Sequence, residues 1–413
     1  MEKIILINLV IAIIFCICYS YQFLYVIVSL MKKDKPHQET KAHRFAVLIA
    51  ARNEETVINH LIDSINTQTY DQGEVTVFVV ADNCTDQTAA CARKMGAIVY
   101  ERFDQTKIGK GHAMEFLLNQ MEKDYAPFDG YFVFDADNVL DQNYILEMNK
   151  TFSDGYDIIT SYRNSKNYGD NWISSGYAIW FLWESEFLNR GRMLLGTSCA
   201  VSGTGFFFSR RIIEKYGGWK FFLLTEDIQF TVDNVLSGEK IGYCRQAMLY
   251  DEQPVKFQQS FRQRMRWAKG FFQVFHRYGL DLFKGSLQRN TSCYDMLMVI
   301  MPAIILTLFT LIFNGSMILF GDYTTYQDDL IMMMMGRMIL NMYLMLVFIA
   351  TVTTATQWKN IHTTNFKKLA YIFTFPFFMF TYIPITIVAF FKKVEWQPIE
   401  HSRAKTLAEI KEG

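Results

Sequence analysis

The chain has 413 residues, which is enough for two or three domains. Lysine plus arginine and aspartate plus glutamate number 41 each, so no excess of positive charge favours binding to nucleic acid. Hydrophobic residues make up 51 % and aromatic residues 16 % of the chain, which is rich for a soluble protein and indicates membrane segments.

The N-terminal region, residues 1–31, has the composition of a membrane anchor. From residue 4 to residue 31 it is almost wholly apolar and uncharged, and it is longer than the core of a cleaved signal peptide. The next segment, KKDKPHQETKAHR, contains five Lys or Arg and two acids. Because basic loops stay on the cytoplasmic side, this segment predicts that the domain following the anchor is cytoplasmic.

Residues 32–283 have the composition of a globular domain in which strands alternate with helices. RFAVLIA, VTVFVVAD (75–82) and YFVFDADN (131–138) predict strands, and helical patterns follow the first two at 56–68 and 85–96. Strands without polar alternation are buried on both faces. We therefore expect an α/β fold with a Rossmann-like, mostly parallel sheet covered by helices on both sides.

Polar clusters follow these strands, at the edge where parallel α/β sheets bind ligands. The first strand is followed by ARNEE (51–55) and the third ends in DADN. Asp135 and Asp137 are alternate residues that would point to the same side, within reach of one Mg²⁺ or Mn²⁺. Such cations combine a few carboxylates with phosphate oxygens. The alternative is a polar strand end in which one aspartate caps a turn.

Two further polar residues have two interpretations each. Asp82, which ends the second strand, could hydrogen-bond a nucleotide base or ribose, or it could belong to the cap of the next helix. Lys110, which lies between glycines in GKGHAM, could meet a phosphate or base, or it could decorate a turn. Both alternatives stay open at this point.

An acidic pair, Glu226 and Asp227, follows two leucines in LLTEDIQF. Thr225 can cap the helix that follows, and acids in a first turn suit the helix dipole. The functional alternative makes Asp227 a general base beside a substrate hydroxyl, with Glu226 next to it.

The segment SFRQRMRWAKGFF predicts an interfacial helix near residues 256–278. In a helix, Gln263, Arg266 and Trp267 share a face, which presents an amide, a guanidinium and an indole together. A plain amphipathic helix would explain this composition but not its placement 36 residues after the acidic pair. The other cations of the segment are expected to turn toward lipid headgroups: Arg262, Arg264 and Lys269.

Residues 295–391 predict a C-terminal membrane region. Its apolar runs are 296–320, 330–355 and 369–391, and two prolines interrupt the last run. If all three runs cross the bilayer, the basic tail at 392–413 ends outside, against the positive-inside rule. A broken or re-entrant last run resolves the conflict, so we expect a cytoplasmic tail.

Four motifs in this order resemble those of the membrane-embedded family 2 glycosyltransferases, the group that includes cellulose, chitin, hyaluronan and poly-N-acetylglucosamine synthases. They are Asp82, D-A-D at 135–137, T-E-D at 225–227 and Q-R-M-R-W at 263–267, which matches Q-x-x-R-W literally. The resemblance covers about residues 44–283, and the apolar runs on either side agree with it. It implies a GT-A fold, a UDP-sugar donor, Mg²⁺ or Mn²⁺, and inversion at the anomeric carbon.

The resemblance also implies roles for individual residues. Asp227, with Glu226 beside it, would deprotonate the acceptor hydroxyl, and Asp135 and Asp137 would hold the metal. The donor or its nucleotide would contact Arg52, Asn53, Glu54, Asp82, Lys110, Asp135 and Arg266. The acceptor would contact Gln263, Trp267 and the small-residue loop at Gly203 and Thr204. A segment after the last apolar run would close over the donor through Trp396 and His401, although an interfacial tryptophan is the alternative.

The activity that the resemblance implies is that of an inverting hexosyltransferase in the cell membrane, multi-pass, with a cytoplasmic catalytic domain. The favoured acceptor is a growing β-linked polysaccharide of glucose or N-acetylglucosamine, and the alternative is a single transfer to a membrane lipid. The set of membrane segments is small for a polysaccharide channel, which implies an accessory subunit, a homo-oligomer or no channel. A catalytically inactive sugar sensor is disfavoured because every acidic motif is present.

Overall fold

The structure is a computed structural model that describes residues 2–37, 39–320 and 325–412. Within these residues, eight strands form one sheet in the order β3-β2-β1-β4-β7-β6-β8-β5. The strands are β1 (Phe45–Ala51), β2 (Val75–Asp82), β3 (Ile98–Arg102), β4 (Gly130–Asp135), β5 (Val139–Leu140), β6 (Ile158–Ser165), β7 (Phe206–Ser209) and β8 (Ile241–Asp251). β1, β2, β3 and β4 are parallel neighbours, whereas β7 runs antiparallel to both β4 and β6. The sheet is therefore mixed, and the expectation that it is mostly parallel is confirmed.

The helices surround this sheet and extend beyond it at both ends of the chain. The first half contains α1 (Glu2–Tyr19), α2 (Tyr21–Met31), α3 (Ile58–Asn66), α4 (Thr88–Lys94), α5 (Lys110–Asp124), α6 (Tyr144–Ser153), α7 (Trp172–Trp183), a π-helical segment (Glu184–Asn189) and α8 (Arg190–Leu195). The second half contains α9 (Arg210–Tyr216), α10 (Glu226–Leu236), α11 (Phe257–Leu287), α12 (Thr291–Ile300), α13 (Pro302–Phe320), α14 (Thr325–Thr356), α15 (Asn365–Phe380), α16 (Tyr382–Phe391) and α17 (Leu407–Glu412).

The sheet buries apolar side chains on both faces, as the non-alternating strands predict. On one face, Leu48 of β1 packs in a cluster with side chains of α5, α7 and α10. On the other face, Val47 and Ile49 pack with side chains of α3 and α6. Because helices cover both faces, polar residues of the central strands reach solvent only at the strand ends, and this places the polar clusters at one edge.

Three helical segments of the described chain are long and apolar enough to cross a membrane, or four if a bent pair counts as one span. The three are residues 4–31, 329–356 and 365–391, and the bent pair joins α12 to α13. These segments agree with the apolar runs of the sequence.

A buried ion pair fastens the N-terminal helices and α12 to the α/β domain. Arg192 of α8 donates two hydrogen bonds to the Asp295 carboxylate, at 2.7 and 3.0 Å, and both side chains are 1 % exposed. The hydroxyls of Tyr21 and Tyr25 donate to the same carboxylate at 2.8 Å. The buried charges therefore have full sets of partners, and the ends of two membrane candidates are held at fixed positions.

The last apolar segment, residues 365–391, contacts the α/β domain at both of its ends. Near its start, Lys367 Nζ donates to the carbonyl of Gly169 (2.7 Å). Near its end, Lys269 Nζ of α11 donates to the carbonyl of Phe390 (3.4 Å). In between, α15 packs on α7 and α16 packs on α11. This segment thus lies along the domain instead of leading away from it.

Two adjoining cavities lie among the membrane candidates, between α1, α13, α14 and α16. Their volumes are about 560 and 390 Å³. The residues that line both cavities are Phe15, Cys16, Thr307, Asn341 and Met342. We call the two cavities together the membrane crevice. Trp183, the last residue of α7, and Tyr382 line the larger cavity on the side of the α/β domain.

Candidate active site

A cavity opens at the carboxyl ends of β1, β2 and β4, the edge where parallel α/β sheets bind ligands. It is formed jointly by these strand ends, the start of α10, the middle of α11 and the C-terminal segment. Most of the predicted site residues line it: Arg52, Glu54, Asp82, Lys110, Asp135, Asp137, Gly203, Glu226, Asp227, Gln263, Arg266, Trp267, Trp396 and His401.

Asn53 and Thr204 are the predicted site residues that do not line this cavity. The Asn53 side chain accepts a hydrogen bond from the backbone of Thr85 (2.8 Å) and so ties two loops together. The Thr204 hydroxyl accepts from the backbone N–H of Asp135 (2.9 Å) and bonds Asn138. Both side chains therefore hold the loops that carry other site residues.

The two aspartates of the D-A-D motif have different surroundings. Asp135 accepts a hydrogen bond from Lys110 Nζ (2.5 Å), which also donates to the carbonyl of Gly203 (2.8 Å). Asp137 is buried and accepts from the backbone N–H of Glu252 (2.8 Å). Burial alone would raise the pKa of Asp137, but the charge of His401 is among the influences that bring it below its ordinary value. Asp137 is therefore ionised at neutral pH.

This pair fits a cation that keeps phosphate and water ligands. Among the described residues, no cluster of three or more His, Cys, Asp or Glu side chains is placed to hold an ion. A closed protein cage for a metal is thus not formed by that part of the chain. Two carboxylates that line the same cavity are instead the partial ligand set that Mg²⁺ or Mn²⁺ uses when it binds a diphosphate.

Asp82 is held in one orientation by its neighbours at the end of β2. Its Oδ1 accepts hydrogen bonds from Arg102 Nη1 (2.5 Å) and from Asn83 Nδ2 (3.1 Å). The carboxylate of Asp82 nevertheless lines the cavity. One oxygen is thus committed to the protein, and the arrangement leaves the other for a ligand.

The acidic pair begins α10 at the floor of the cavity. Burial raises the pKa values of both Glu226 and Asp227. For Asp227, the N–H group of Ile228 and the charges of Lys110 and Arg266 oppose this rise without cancelling it. A carboxylate with a raised pKa is a stronger base than an exposed one, as a proton acceptor requires.

The helix α11 runs close to this acidic pair because Gly270 has no side chain. A Cβ at Gly270 would lie 2.4 Å from Thr225 Cγ2. One turn earlier, Arg266 Nη1 donates to the carbonyl of Leu224 (2.7 Å). The Thr225 hydroxyl makes no hydrogen bond within the described chain, so the capping role considered for it is not seen.

Gln263 and Trp267 lie on the cavity side of α11, as their spacing predicts. The Trp267 ring packs edge-on against Tyr177 of α7, with ring centroids 5.7 Å apart. The buried Gln263 Oε1 has no hydrogen-bond partner among the residues that the structure describes. It is therefore an acceptor group that a bound hydroxyl can satisfy.

The prediction that Arg264 faces lipid headgroups is wrong. Its side chain is 0 % exposed, and its Nη1 donates to the carbonyl of Phe378 (3.1 Å) and to the hydroxyl of Thr381 (2.6 Å). The rings of Phe378 and Tyr382 lie 4.4 and 4.9 Å from its guanidinium carbon. A guanidinium packs well on aromatic faces, and the segment 365–391 covers this side of α11.

Arg163 and Asp251 are site residues that the sequence analysis missed. Both line the cavity, and Arg163 Nε donates to Asp251 Oδ2 (2.6 Å). Arg163 also donates to the carbonyl of Ser202 (3.0 Å), beside the predicted small-residue loop. The sequence does contain a pattern that indicates Asp251: this residue ends the apolar strand β8 in a polar cluster, just as Asp82 ends β2.

The C-terminal segment crosses the mouth of the cavity. The Arg52 guanidinium carbon lies 5.3 Å from the centre of the Trp396 ring. His401 Nδ1 lies 2.9 Å from Glu54 Oε1, and the next two backbone N–H groups donate to the Glu252 carboxylate at 2.8 to 3.1 Å. These contacts fasten the segment on both sides of the opening.

The contact between His401 and Glu54 carries charge. Burial alone would lower the pKa of His401, but Asp137 and Glu54 raise it to about 10. Burial raises the pKa of Glu54 to about 7, even though His401 opposes this rise. His401 is therefore protonated at neutral pH. With the segment in this position the cavity has a volume of about 170 Å³, below the roughly 300–1,000 Å³ of typical ligand pockets.

A family model and several curated proteins match this chain. The family model described as "Glycosyltransferase like family 2" matches residues 43–270. The beta-monoglucosyldiacylglycerol synthase of Nostoc sp. is 26 % identical over 63 % of this chain and 56 % of its own length. The poly-beta-1,6-N-acetyl-D-glucosamine synthase of Staphylococcus aureus is 22 % identical over 65 % of this chain and 63 % of its own length. The first curated relatives are matched over only 48–60 % of their length.

A solved structure shares the fold. The mannosyltransferase PcManGT from Pyrobaculum calidifontis, in complex with GDP-Man and Mn²⁺, superposes with a TM-score of 0.59 at 14 % identity. The match covers 92 % of this chain and 98 % of that protein. The likeness confirms the GT-A-like domain with long apolar helices.

Proposed function

Since this chain belongs to glycosyltransferase family 2, we propose that it transfers a hexose from a UDP-sugar to an acceptor hydroxyl at the membrane surface, with inversion at the anomeric carbon. The observation that carries this proposal is the convergence in one cavity of the half-buried acid Asp227, the carboxylates Asp135 and Asp137, and Arg266. These groups come from separate parts of the chain, and together they meet the needs of a sugar donor with a diphosphate leaving group.

In the proposed reaction, Asp227 is the general base. The acceptor oxygen attacks the anomeric carbon from the face opposite the diphosphate, and its proton passes to an Asp227 carboxylate oxygen. The bond between the anomeric carbon and the phosphate oxygen breaks, and UDP leaves. The pKa of Asp227, which burial raises, supports this role.

The donor diphosphate requires positive charge, and Arg266 supplies a planar guanidinium suited to phosphate oxygens. Lys110 adds an ammonium group that now pairs with Asp135. Asp82 would take the nucleoside through its free carboxylate oxygen. Asp135 and Asp137 would hold Mg²⁺ or Mn²⁺, which would supply positive charge that stabilises the leaving diphosphate.

The C-terminal segment would act as a gate for the donor. With Trp396 and His401 across the opening, the cavity is smaller than typical ligand pockets, so donor entry requires the segment to move. The contacts of His401 with Glu54 and of Glu252 with the following backbone would re-form once the donor is bound. Closure of this kind excludes water, which would otherwise compete with the acceptor.

The catalytic domain and the tail would both lie on the cytoplasmic side. The tail reaches the cavity through His401, so it shares the side of the α/β domain. If residues 4–31, α13 and α14 cross the bilayer while residues 365–391 lie along the domain, the chain crosses three times and the basic segments on both sides of the domain stay inside. This topology agrees with the cytoplasmic tail predicted from charge.

The acceptor has two candidates. A growing polysaccharide is the one predicted from the sequence, and the name of the Staphylococcus aureus relative supports it. A membrane lipid is the second candidate, and it is supported by the name of the Nostoc relative and by the apolar lining of the membrane crevice. Both candidates use the same donor, base and metal ligands.

The test uses the purified full-length chain in nanodiscs with Mg²⁺ or Mn²⁺ and a panel of labelled UDP-sugars. Products are separated by size and by lipid extraction, and Asp227→Asn is the matched control. Sugar transfer at this site would be supported if the wild type makes a labelled polysaccharide or a labelled lipid and Asp227→Asn makes neither. Transfer by Asp227→Asn at the wild-type rate would contradict the role of the base. Labelled GDP-sugars are offered in parallel, and turnover of these alone would contradict the UDP-sugar donor.

A further inference from the structure

The membrane crevice is a space lined mainly by apolar side chains. It lies between helices that are long and apolar enough to span a membrane. Its two cavities, of about 560 and 390 Å³, are each within the roughly 300–1,000 Å³ range of ligand pockets. The larger cavity is lined mainly by aliphatic, aromatic and methionine side chains, such as Phe23, Met345 and Ile383.

This lining suits acyl chains and does not suit a glycan. A sugar hydroxyl moved from water into apolar surroundings without a partner loses about 1–3 kcal/mol. Each sugar ring carries several such groups, whereas most of the described residues that line the larger cavity are apolar, and the only amide side chains among them are those of Gln22 and Asn341. A methylene chain has no polar group and therefore needs no hydrogen-bond partner in this cavity.

The crevice leads toward the candidate active site through the end of α7. Trp183 lines the larger cavity, and the next residue, Glu184, begins the π-helical segment, a feature frequent at functional sites. Glu184 is half-buried, and its neighbour Ser185 accepts a hydrogen bond from the backbone N–H of Arg163 (3.1 Å), which lines the active-site cavity. On the other side, Tyr382 links the cavity to Arg264 and so to α11.

We propose that the membrane crevice holds the acyl chains of the acceptor, a membrane lipid whose headgroup carries a free hydroxyl. The hydroxyl reaches Asp227 past Trp183, while the chains stay at bilayer depth between α1, α13 and α14. This inference rests on the proposed sugar transfer and assigns its acceptor class: one lipid receives one sugar and leaves sideways into the bilayer, so no channel for a polymer is needed.

The test fills the crevice with a large side chain on either of two helices. Thr307→Trp and Met342→Trp each place an indole where both cavities meet. The matched controls, Ile312→Trp and Leu344→Trp, lie on the same two helices at exposed positions outside the crevice. The probe is diacylglycerol in phosphatidylcholine nanodiscs, and lipid glycosylation is measured together with the UDP released when water instead of the lipid accepts the sugar.

We expect each crevice variant to lower lipid glycosylation relative to UDP release by about tenfold or more, because even one misplaced methylene in an apolar pocket costs that much. The controls should keep the wild-type ratio. A second readout needs no turnover: diacylglycerol with a photoreactive group in one acyl chain should label peptides of α1, α13 or α14 in wild type and not in the crevice variants.

An unchanged ratio in both crevice variants, together with labelling outside the crevice, would overturn the proposal. So would a high-molecular-weight glycan that becomes shorter in the crevice variants, since that result would place a polymer in this space. If wild type releases UDP from no donor, the proposed sugar transfer fails, and the labelling still decides whether acyl chains occupy the crevice.

Discussion

Replacing Trp396 with alanine tests whether the C-terminal segment is part of the donor site. In the structure the ring lies 5.3 Å from the Arg52 guanidinium, and the residues that follow are held by Glu54 and Glu252. The contact with Arg52 alone is worth about 0.5–1 kcal/mol at a partly exposed position. Its loss would change the donor KM by about two- to fivefold.

A ring that also packs on the bound nucleotide adds roughly 1–3 kcal/mol of stacking. For Trp396→Ala we therefore expect the donor KM to rise by more than about tenfold, since the combined loss exceeds 1.4 kcal/mol. The assay is the initial rate of UDP release over a donor titration in nanodiscs. Trp396→Phe keeps an aromatic face and should recover most of the affinity.

Trp358→Ala is the matched control because Trp358 also lies beside a cation, with Lys368 Nζ 4.8 Å from its ring centre, but outside the active-site cavity. Its donor KM should stay at the wild-type value. A Trp396→Ala enzyme with a donor KM less than about fivefold above wild type would refute the reasoning and would leave Trp396 as an interfacial residue.

Four further results are expected. Asp227→Asn should lower kcat by about 10²–10⁴-fold with little change in donor KM, because it removes the proton acceptor and leaves the diphosphate site intact. Asp227 must be ionised to accept a proton, and burial raises its pKa, so kcat at saturating donor should begin to fall with decreasing pH at a higher pH than it would with an exposed aspartate as the base. Arg266→Gln removes a charge that lowers the pKa of Asp227, so this acidic fall in kcat should move to still higher pH. Chelation with EDTA should abolish UDP release, and Mg²⁺ or Mn²⁺ should restore it, whereas activity that persists in EDTA would exclude the Asp135–Asp137 metal role. Arg192→Leu should destabilise the fold by about 3–5 kcal/mol, seen as earlier thermal unfolding in detergent, because Asp295 is left buried without its partner; replacing both residues with leucine should recover much of the loss.

The strands and the carboxylates at their ends were predictable because each depends on local pattern. The strand predicted at 75–82 coincides with β2, since a run of apolar β-branched residues is recognisable without its neighbours. Asp82 and Asp135 line the cavity because the ends of parallel strands meet at one edge. The face shared by Gln263 and Trp267 followed from helix periodicity alone.

Arg264 and Asp251 were beyond the reach of local pattern. Arg264 is a charged residue of the kind usually found at the surface, and only the packing of residues 365–391 against α11 buries it. Asp251 is one acidic strand end among several, and it becomes a site residue because Arg163 of β6 lies beside it. Such contacts join residues far apart in the chain, so no window along the sequence contains both partners.

For the apolar runs, too, one part was predictable from the sequence and another part depends on the tertiary structure. Hydropathy located the apolar runs 4–31, 296–320, 330–355 and 369–391, because length and composition suffice to recognise a segment able to cross a bilayer. Only the tertiary structure distinguished the last run from the others. Lys367 near its start and Phe390 near its end both form hydrogen bonds with the α/β domain. Whether a helix spans or lies along a surface depends on what its two ends touch, and those partners are set by packing. The placement of His401 across the cavity has the same origin: its partner Glu54 is 347 residues away, and folding alone brings the two together.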